Sequence, residues 1–177
     1  MGEYGGSGIS ALRVGMGFDA HQFSTSDSGR ELWLACMRWE DAEECGLSGL
    51  EGDSDGDVAA HALIDALLSA SDQGDIGSFF GVGADSKGSG MHGRDMIREI
   101  SVMLSGLGWS VNGASVVIVA QQPKIAVHRQ DATLAMSQAL GASVTLTAST
   151  TDGMGFTGQG EGIAAMATAT LIRETAL

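Results

Sequence analysis

Asp19 and His21 lie two residues apart. In an extended segment, side chains at i and i+2 leave the same face, so a carboxylate and an imidazole would converge on one point and could grip one cation. A third donor, His61, falls in a stretch with helical spacing. Asp, His and His with one open position make a workable catalytic zinc set. Asp57 and Asp65 stand four residues on either side of His61. On a helix they share its face and are expected to orient its ring. The bland account stands beside this one: D-x-H pairs are common, a lone helical His is more often structural, and spacing alone does not bring His21 and His61 together.

A second group of residues suits phosphate. The run from Ser149 through Thr150, Thr151, Asp152, Gly153, Phe156 and Gln159 to Gly162 follows an expected strand and leads into an expected helix. Hydroxyls, glycines and a helix N-terminus together form an anion cradle, and Asp152 could hold a hard cation such as Mg²⁺ between phosphates. The same run also suits a turn chosen for backbone shape alone. Asp75, in Gly74-Asp75-Ile76-Gly77, could accept hydrogen bonds from ligand hydroxyls or could simply form the turn. Ala120-Gln121-Gln122-Pro123-Lys124-Ile125 closes a strand, where free backbone groups can read a flat heterocycle. Lys124 could balance phosphate charge or serve as an ordinary surface lysine.

These residues need elements to hold them. Leu12–Phe18 and Leu32–Trp39 read as extended, and residues 40–56 as a loop. Val58–Ala70 reads as a helix, with Leu63, Ile64, Leu67 and Leu68 in a stripe and Ser54/Asp57 approximating a capping box. Residues 74–93 form a long loop. Arg94–Leu107 is amphipathic at helical spacing, Ala114–Gln121 is a β-branched strand, and Val127–Leu140 is a helix closed by Gly141. Ser143–Ser149 alternates as a half-buried strand, and Ile163–Glu174 reads as a last helix. The order implies an α+β sandwich with helices on one face of a sheet. Strands apolar on both faces favour oligomerisation.

Composition narrows the options. The chain has 177 residues, 44% of them hydrophobic, and a net charge of −13. One domain fits that length. Such acidity argues against a basic nucleic-acid surface and against an anionic membrane; a phosphorylated ligand would need metal ions or backbone amides. Cys36 and Cys45 form neither a disulfide framework nor a CxxC pair. Residues 1–11 read as a flexible leader without a signal-peptide core, and no apolar run approaches the roughly 18 residues of a membrane span. The expectation is a soluble, cytoplasmic protein.

Four segments together resemble one family. Gly15-Met16-Gly17-Phe18-Asp19-Ala20-His21 resembles its GxGFDxH. Asp53-Ser54-Asp55-Gly56-Asp57-Val58-Ala59-Ala60-His61-Ala62-Leu63 resembles its SDGDVxxHAL. Gly74-Asp75-Ile76-Gly77 with Phe80 resembles GDIGxxF, and Ala148 to Gly162 resembles ATTTExxGFTGxGEGIA. The family is 2-C-methyl-D-erythritol 2,4-cyclodiphosphate synthase, and the ordered match runs from about residue 12 to 173, giving a single domain over 12–177.

The resemblance implies a ferredoxin-like subunit in a homotrimer, with active sites between neighbours. It implies Zn²⁺ held by Asp19, His21 and His61, and Mg²⁺ or Mn²⁺ near Asp152, largely through substrate phosphates. The implied substrate is 4-diphosphocytidyl-2-C-methyl-D-erythritol 2-phosphate, whose own 2-phosphate displaces CMP from the diphosphate. Cytosine would lie against Ala120–Ile125 and the methylerythritol hydroxyls near Asp75–Gly77. Thr150 would work beside the reacting phosphates with position 53. Ser54, Ser149, Thr151, Phe156 and Gln159 complete the implied ligand-binding set.

The chain departs from the family pattern at four places. Asp53 stands where the family has a phosphate-contacting His, Asp152 where it has Glu, and Gln159 where it often has Arg. The loop after Phe80 lacks the usual proline. An alternative reading, resting on Asp53 and that loop, is a trimer that binds zinc and cytidine nucleotides without turnover.

Overall fold

Alternation puts Gly15 and Gly17 next to each other on one face of the first strand, and that bare patch lets a helix lie close to it. The computed structural model describes residues 9–174. In chain order the elements are β1 (Ile9–Gln22), β2 (Trp33–Leu34), β3 (Met37–Arg38), α1 (Glu40–Glu44), α2 (Val58–Ser71), α3 (Ile76–Phe80), α4 (Gly93–Gly106), β4 (Ser110–Val119), α5 (Arg129–Leu140), β5 (Val144–Ser149), α6 (Gly155–Gly158) and β6 (Gly162–Glu174).

The main sheet has the order β1-β6-β4-β5. β6 runs antiparallel to both β1 and β4, while β4 and β5 are parallel around α5. β1 and β4 therefore point the same way with β6 between them, a split βαβ arrangement. Helix α2 packs on β1 and β6, α4 on α2 and α5, and α5 on β5. This is the expected α+β architecture, with helices covering one face of a mixed sheet. No helix among the described residues is long and apolar enough to cross a membrane.

The last element corrects the sequence reading. Ile163–Glu174, expected to be the last helix, belongs to the strand β6 despite its several alanines. Ala165, Ala167, Ala169 and Leu171 are buried while Met166 and Thr168 are exposed, which is period two. Helix propensity is a weak prior, and here pairing on both sides of the strand overrides it. The expected second extended segment is a β2–β3 hairpin whose turn residues, Ala35 and Cys36, both have positive φ. The expected loops 40–56 and 74–93 contain the short helices α1 and α3. β1 begins at Ile9, paired opposite Glu174, so the strand reaches into the expected leader, the remainder of which lies outside the described residues. The N-cap of α2 is Asp57, not Ser54.

The sheet's other face is bare. Leu12, Val14, Met16 and Phe18 alternate with the buried Gly15 and Gly17 and are 56–71% exposed, with Met166 beside Phe18 at 46%.

Candidate metal centre

A β-carbon built on Gly17 would sit 2.1 Å from the Ala62 carbonyl of α2, and one on Gly15 would sit 2.0 Å from that of Ala66. Only glycine lets strand and helix approach this closely. The next residue on that face of β1 is Asp19, and its neighbour on α2 is His61. Asp19 Oδ2 lies 2.9 Å from His61 Nδ1 and 3.0 Å from His21 Nε2. The expected three donors thus converge, with one ligand atom from each lying within 4.8 Å of the others.

The donor set fits a zinc ion. Tetrahedral ligands at ~2.0–2.1 Å from the metal stand roughly 3.3 Å from one another, a spacing between the 2.9–3.0 Å contacts of Asp19 and the 4.8 Å within which all three donors lie. Burial works against charge on Asp19, but hydrogen bonds from His21 and His61 outweigh it and hold the carboxyl well below the usual range. Burial alone would depress the His61 imidazole; the Asp19 carboxylate raises it instead. Metal binding at such a site releases protons.

The ring of His61 is not oriented by Asp57 and Asp65 as expected. Asp57 and Asp65 do not touch the His61 ring. Asp57 accepts from the amides of Ala35 at 2.8 Å, Cys36 at 2.6 Å, and Ala59 and Ala60 at 3.1 Å each. It therefore caps α2 and holds the left-handed turn of the β2–β3 hairpin. Burial, with the charge of Asp55 nearby, pushes its carboxyl up to about 6 against those bonds. Asp65 accepts from the Ile76 amide at 2.7 Å and seats α3. The partner of His61 Nε2 is Ser54 Oγ, at 2.9 Å. A metal ion held at Nδ1 would leave the proton on Nε2, which would then donate to Ser54. Arg30 braces this segment, donating to the carbonyls of Gly52 and Ser54 at 2.9 and 2.6 Å. No spacing signal pointed to Arg30, because its partners lie 22 and 24 residues away across the β2–β3 hairpin and α1.

Ser54→Ala should therefore weaken zinc binding by roughly 10–100-fold, the usual effect of losing an outer partner of a ligating imidazole, with the melting temperature of the metal-free protein little changed. Chelator competition measures this. Wild-type affinity in the variant would show that Ser54 does not steady the ring.

Asp19, His21 and His61 open into a cleft of about 230 Å³ that Asp53, Ser54, Ile76, Gly77 and Phe80 also line. Asp75 stands at the N-cap of α3 rather than in the cleft wall. It accepts from the Ser78 amide, a bond that holds its carboxyl below the ordinary value.

A second cleft of about 170 Å³ is lined by Ala120, Pro123, Lys124, Ile125, Ala148, Ser149 and Thr150. Gln121 and Gln122 flank it in sequence, and Lys124 Nζ donates to the Gln121 carbonyl at 3.1 Å. Beyond it, Thr150 donates to Asp152 at 2.9 Å, while Thr151 bonds Met154 and Thr157. Phe156 and Gln159, at α6, are exposed. The run enters β6 through the short α6, not through a long helix. The expected cradle at a long helix's N-terminus is therefore not formed, since α6 has four residues. The two clefts share no lining residue; the chain does not merge the metal residues and the Ala120–Thr150 group into one pocket.

Fold and site together define a class: an α+β domain with a mixed sheet, carrying an Asp–His–His cluster suited to a divalent cation where its first strand meets its first long helix. The chain belongs to the YgbB family, whose model matches residues 12–172. It is 54% identical over 168 residues to the 2-C-methyl-D-erythritol 2,4-cyclodiphosphate synthase of Bifidobacterium longum strain NCC 2705, a match covering 92% of this chain and 97% of that protein. The bifunctional enzyme IspD/IspF of Clavibacter michiganensis is 42% identical over 95% of this chain but only 39% of its own length. A solved CDP-bound form of 2C-methyl-D-erythritol-2,4-cyclodiphosphate synthase is 30% identical, with a TM-score of 0.76 over 90% of this chain and 99% of that one.

Proposed function

We propose that this chain converts 4-diphosphocytidyl-2-C-methyl-D-erythritol 2-phosphate into 2-C-methyl-D-erythritol 2,4-cyclodiphosphate and CMP, a phosphorus–oxygen lyase step of isoprenoid precursor synthesis in the cytoplasm. The observation that carries it is the convergence of Asp19, His21 and His61 at a cleft in a chain of this family. An oxygen of the substrate's 2-phosphate attacks the β-phosphorus, the β-phosphorus–oxygen bond to the α-phosphate breaks, and CMP leaves with that oxygen. The nucleophile is already an anion, so no protein nucleophile is needed, and the residues position and neutralise.

Asp19, His21 and His61 would hold Zn²⁺, which supplies a Lewis acid for a phosphate oxygen. The methylerythritol end would lie along Asp53, Ser54, Asp75, Ile76 and Gly77. Cytosine would lie in the cleft of Ala120–Ile125, with Lys124 beside its phosphates; the CDP-bound relative supports a cytidine ligand. Ser149, Thr150 and Thr151 would donate to the reacting phosphates, and Phe156 and Gln159 would line the surrounding surface. Asp152 would share Mg²⁺ or Mn²⁺ with the phosphates.

One substrate has to span both clefts. Two features support a homotrimer of ferredoxin-like subunits with sites between neighbours: the clefts do not meet within one chain, and the sheet leaves the row Leu12, Val14, Met16 and Phe18 uncovered. Contiguous apolar faces of this kind mark association surfaces.

The test is CMP release from the substrate by zinc-loaded protein with Mg²⁺, with phosphorus NMR of the product. CMP with a cyclic diphosphate is expected. No CMP from folded, zinc-bound protein would overturn the synthase reading in favour of nucleotide binding without turnover. Asp152→Ala should raise the Mg²⁺ or Mn²⁺ concentration for half-maximal rate by about tenfold, on the scale of one lost charge-assisted contact, while zinc content stays at the wild-type level. Equal loss of both metals would refute separate roles.

A further inference from the structure

Asp53 lines the metal cleft, yet a carboxylate aimed at a substrate phosphate would repel it. Its geometry serves another purpose. The cleft is walled on one side by the loop after α3, which turns at Gly81, Gly83 and Gly90, all with positive φ. The far half of this loop is secured several times over. Gly88 donates to the Phe80 carbonyl at 3.0 Å, Gly90 donates to the Asp53 carbonyl at 2.8 Å, and Lys87 pairs with Glu99 of α4 while lying over the Phe79 and Phe80 rings. The near half, Val82 to Asp85, is the rim, and Val82 is 81% exposed. Among the described residues, the hydrogen bond reaching this rim from outside the loop is the one that Gly83 N–H donates to Asp53 Oδ2, at 2.6 Å.

We propose that Asp53 is a positioning residue: its carboxylate latches the rim Val82–Asp85 over the metal cleft and sets the cleft's width for the polyol-phosphate end of the substrate. Asp53 then acts on turnover through the loop and not on the reacting phosphates. The inference rests on the reading that this cleft takes the substrate, but the latch itself can be measured without either.

The experiment compares Asp53→Ala and Asp53→Asn in the full chain. NMR exchange of the Gly83 amide in metal-free protein should lose about tenfold of its protection in D53A, the scale of one hydrogen bond to a charged acceptor. In D53N it should change by less than about threefold, because the side-chain oxygen still accepts. In the CMP-release assay, D53A should raise KM about tenfold with kcat within about threefold, and D53N should restore most of the loss; zinc affinity should match wild type in both. Unchanged Gly83 exchange in D53A overturns the latch. So does a fall in kcat as deep in D53N as in D53A, which would mark a group acting on the phosphates. If wild-type protein released no CMP, the synthase reading would fall, while the Gly83 exchange would still decide whether Asp53 latches the rim.

Discussion

Replacing His61 with alanine is expected to strip zinc from the purified protein and cut CMP release by about 10³-fold, the scale on which a preplaced charge-stabilising group acts. The ring is 6% exposed, and both nitrogens are committed, one to Asp19 and one to Ser54. Among the described residues, no further His, Cys, Asp or Glu joins the cluster to take over its donor. Asp19 and His21 alone would offer two protein ligands, too few for the sets that hold catalytic zinc. The variant should still fold, because the Asp57 bonds that cap α2 do not involve the ring. Metal analysis after dialysis, alongside the CMP assay, provides the check. Wild-type zinc content together with wild-type turnover would remove His61 from the site.

The candidate metal-binding residues were legible in the sequence because the relation of Asp19 to His21 is local: period two on a strand dictates a shared face. That His61 joins them follows from the bare glycine face of β1, which carries meaning only once α2 is known to lie on it. The shell around His61 was misread for the same reason. Asp57 and Asp65 share its helical face by spacing, but tertiary neighbours claim both carboxylates, one for the β2–β3 turn and one for α3. The ring's actual partner, Ser54, lies in the irregular segment before the helix, where no periodicity applies. β6 was misread although its Ala165, Ala167, Ala169 and Leu171 carry a period-two signal; alanine's preference for helices masked it. The separation of the two clefts was not legible at all, since motifs record which residues act together but not whether one chain unites them.

The glycine face makes the second large prediction. Gly17→Ala places a β-carbon 2.1 Å from the Ala62 carbonyl and 2.6 Å from the Ala66 amide, both rigid backbone of α2. No side chain can swing aside, so the helix must lift away from β1. Overpacking of this kind costs about 3 kcal/mol, which for a domain of this size lowers the melting temperature by roughly 6–12 °C. The displacement falls between Asp19 on the strand and His61 on the helix, and the site needs its donors held to within about 0.5 Å. Zinc affinity should therefore fall at least about tenfold, even at temperatures where the variant is fully folded. Thermal melts of the metal-free protein and chelator competition at low temperature separate the two effects. A melt within about 2 °C of wild type would mean the helix tolerates the methyl group. Destabilisation with unaltered zinc affinity would mean that the metal residues move as one body and that the glycines serve packing alone.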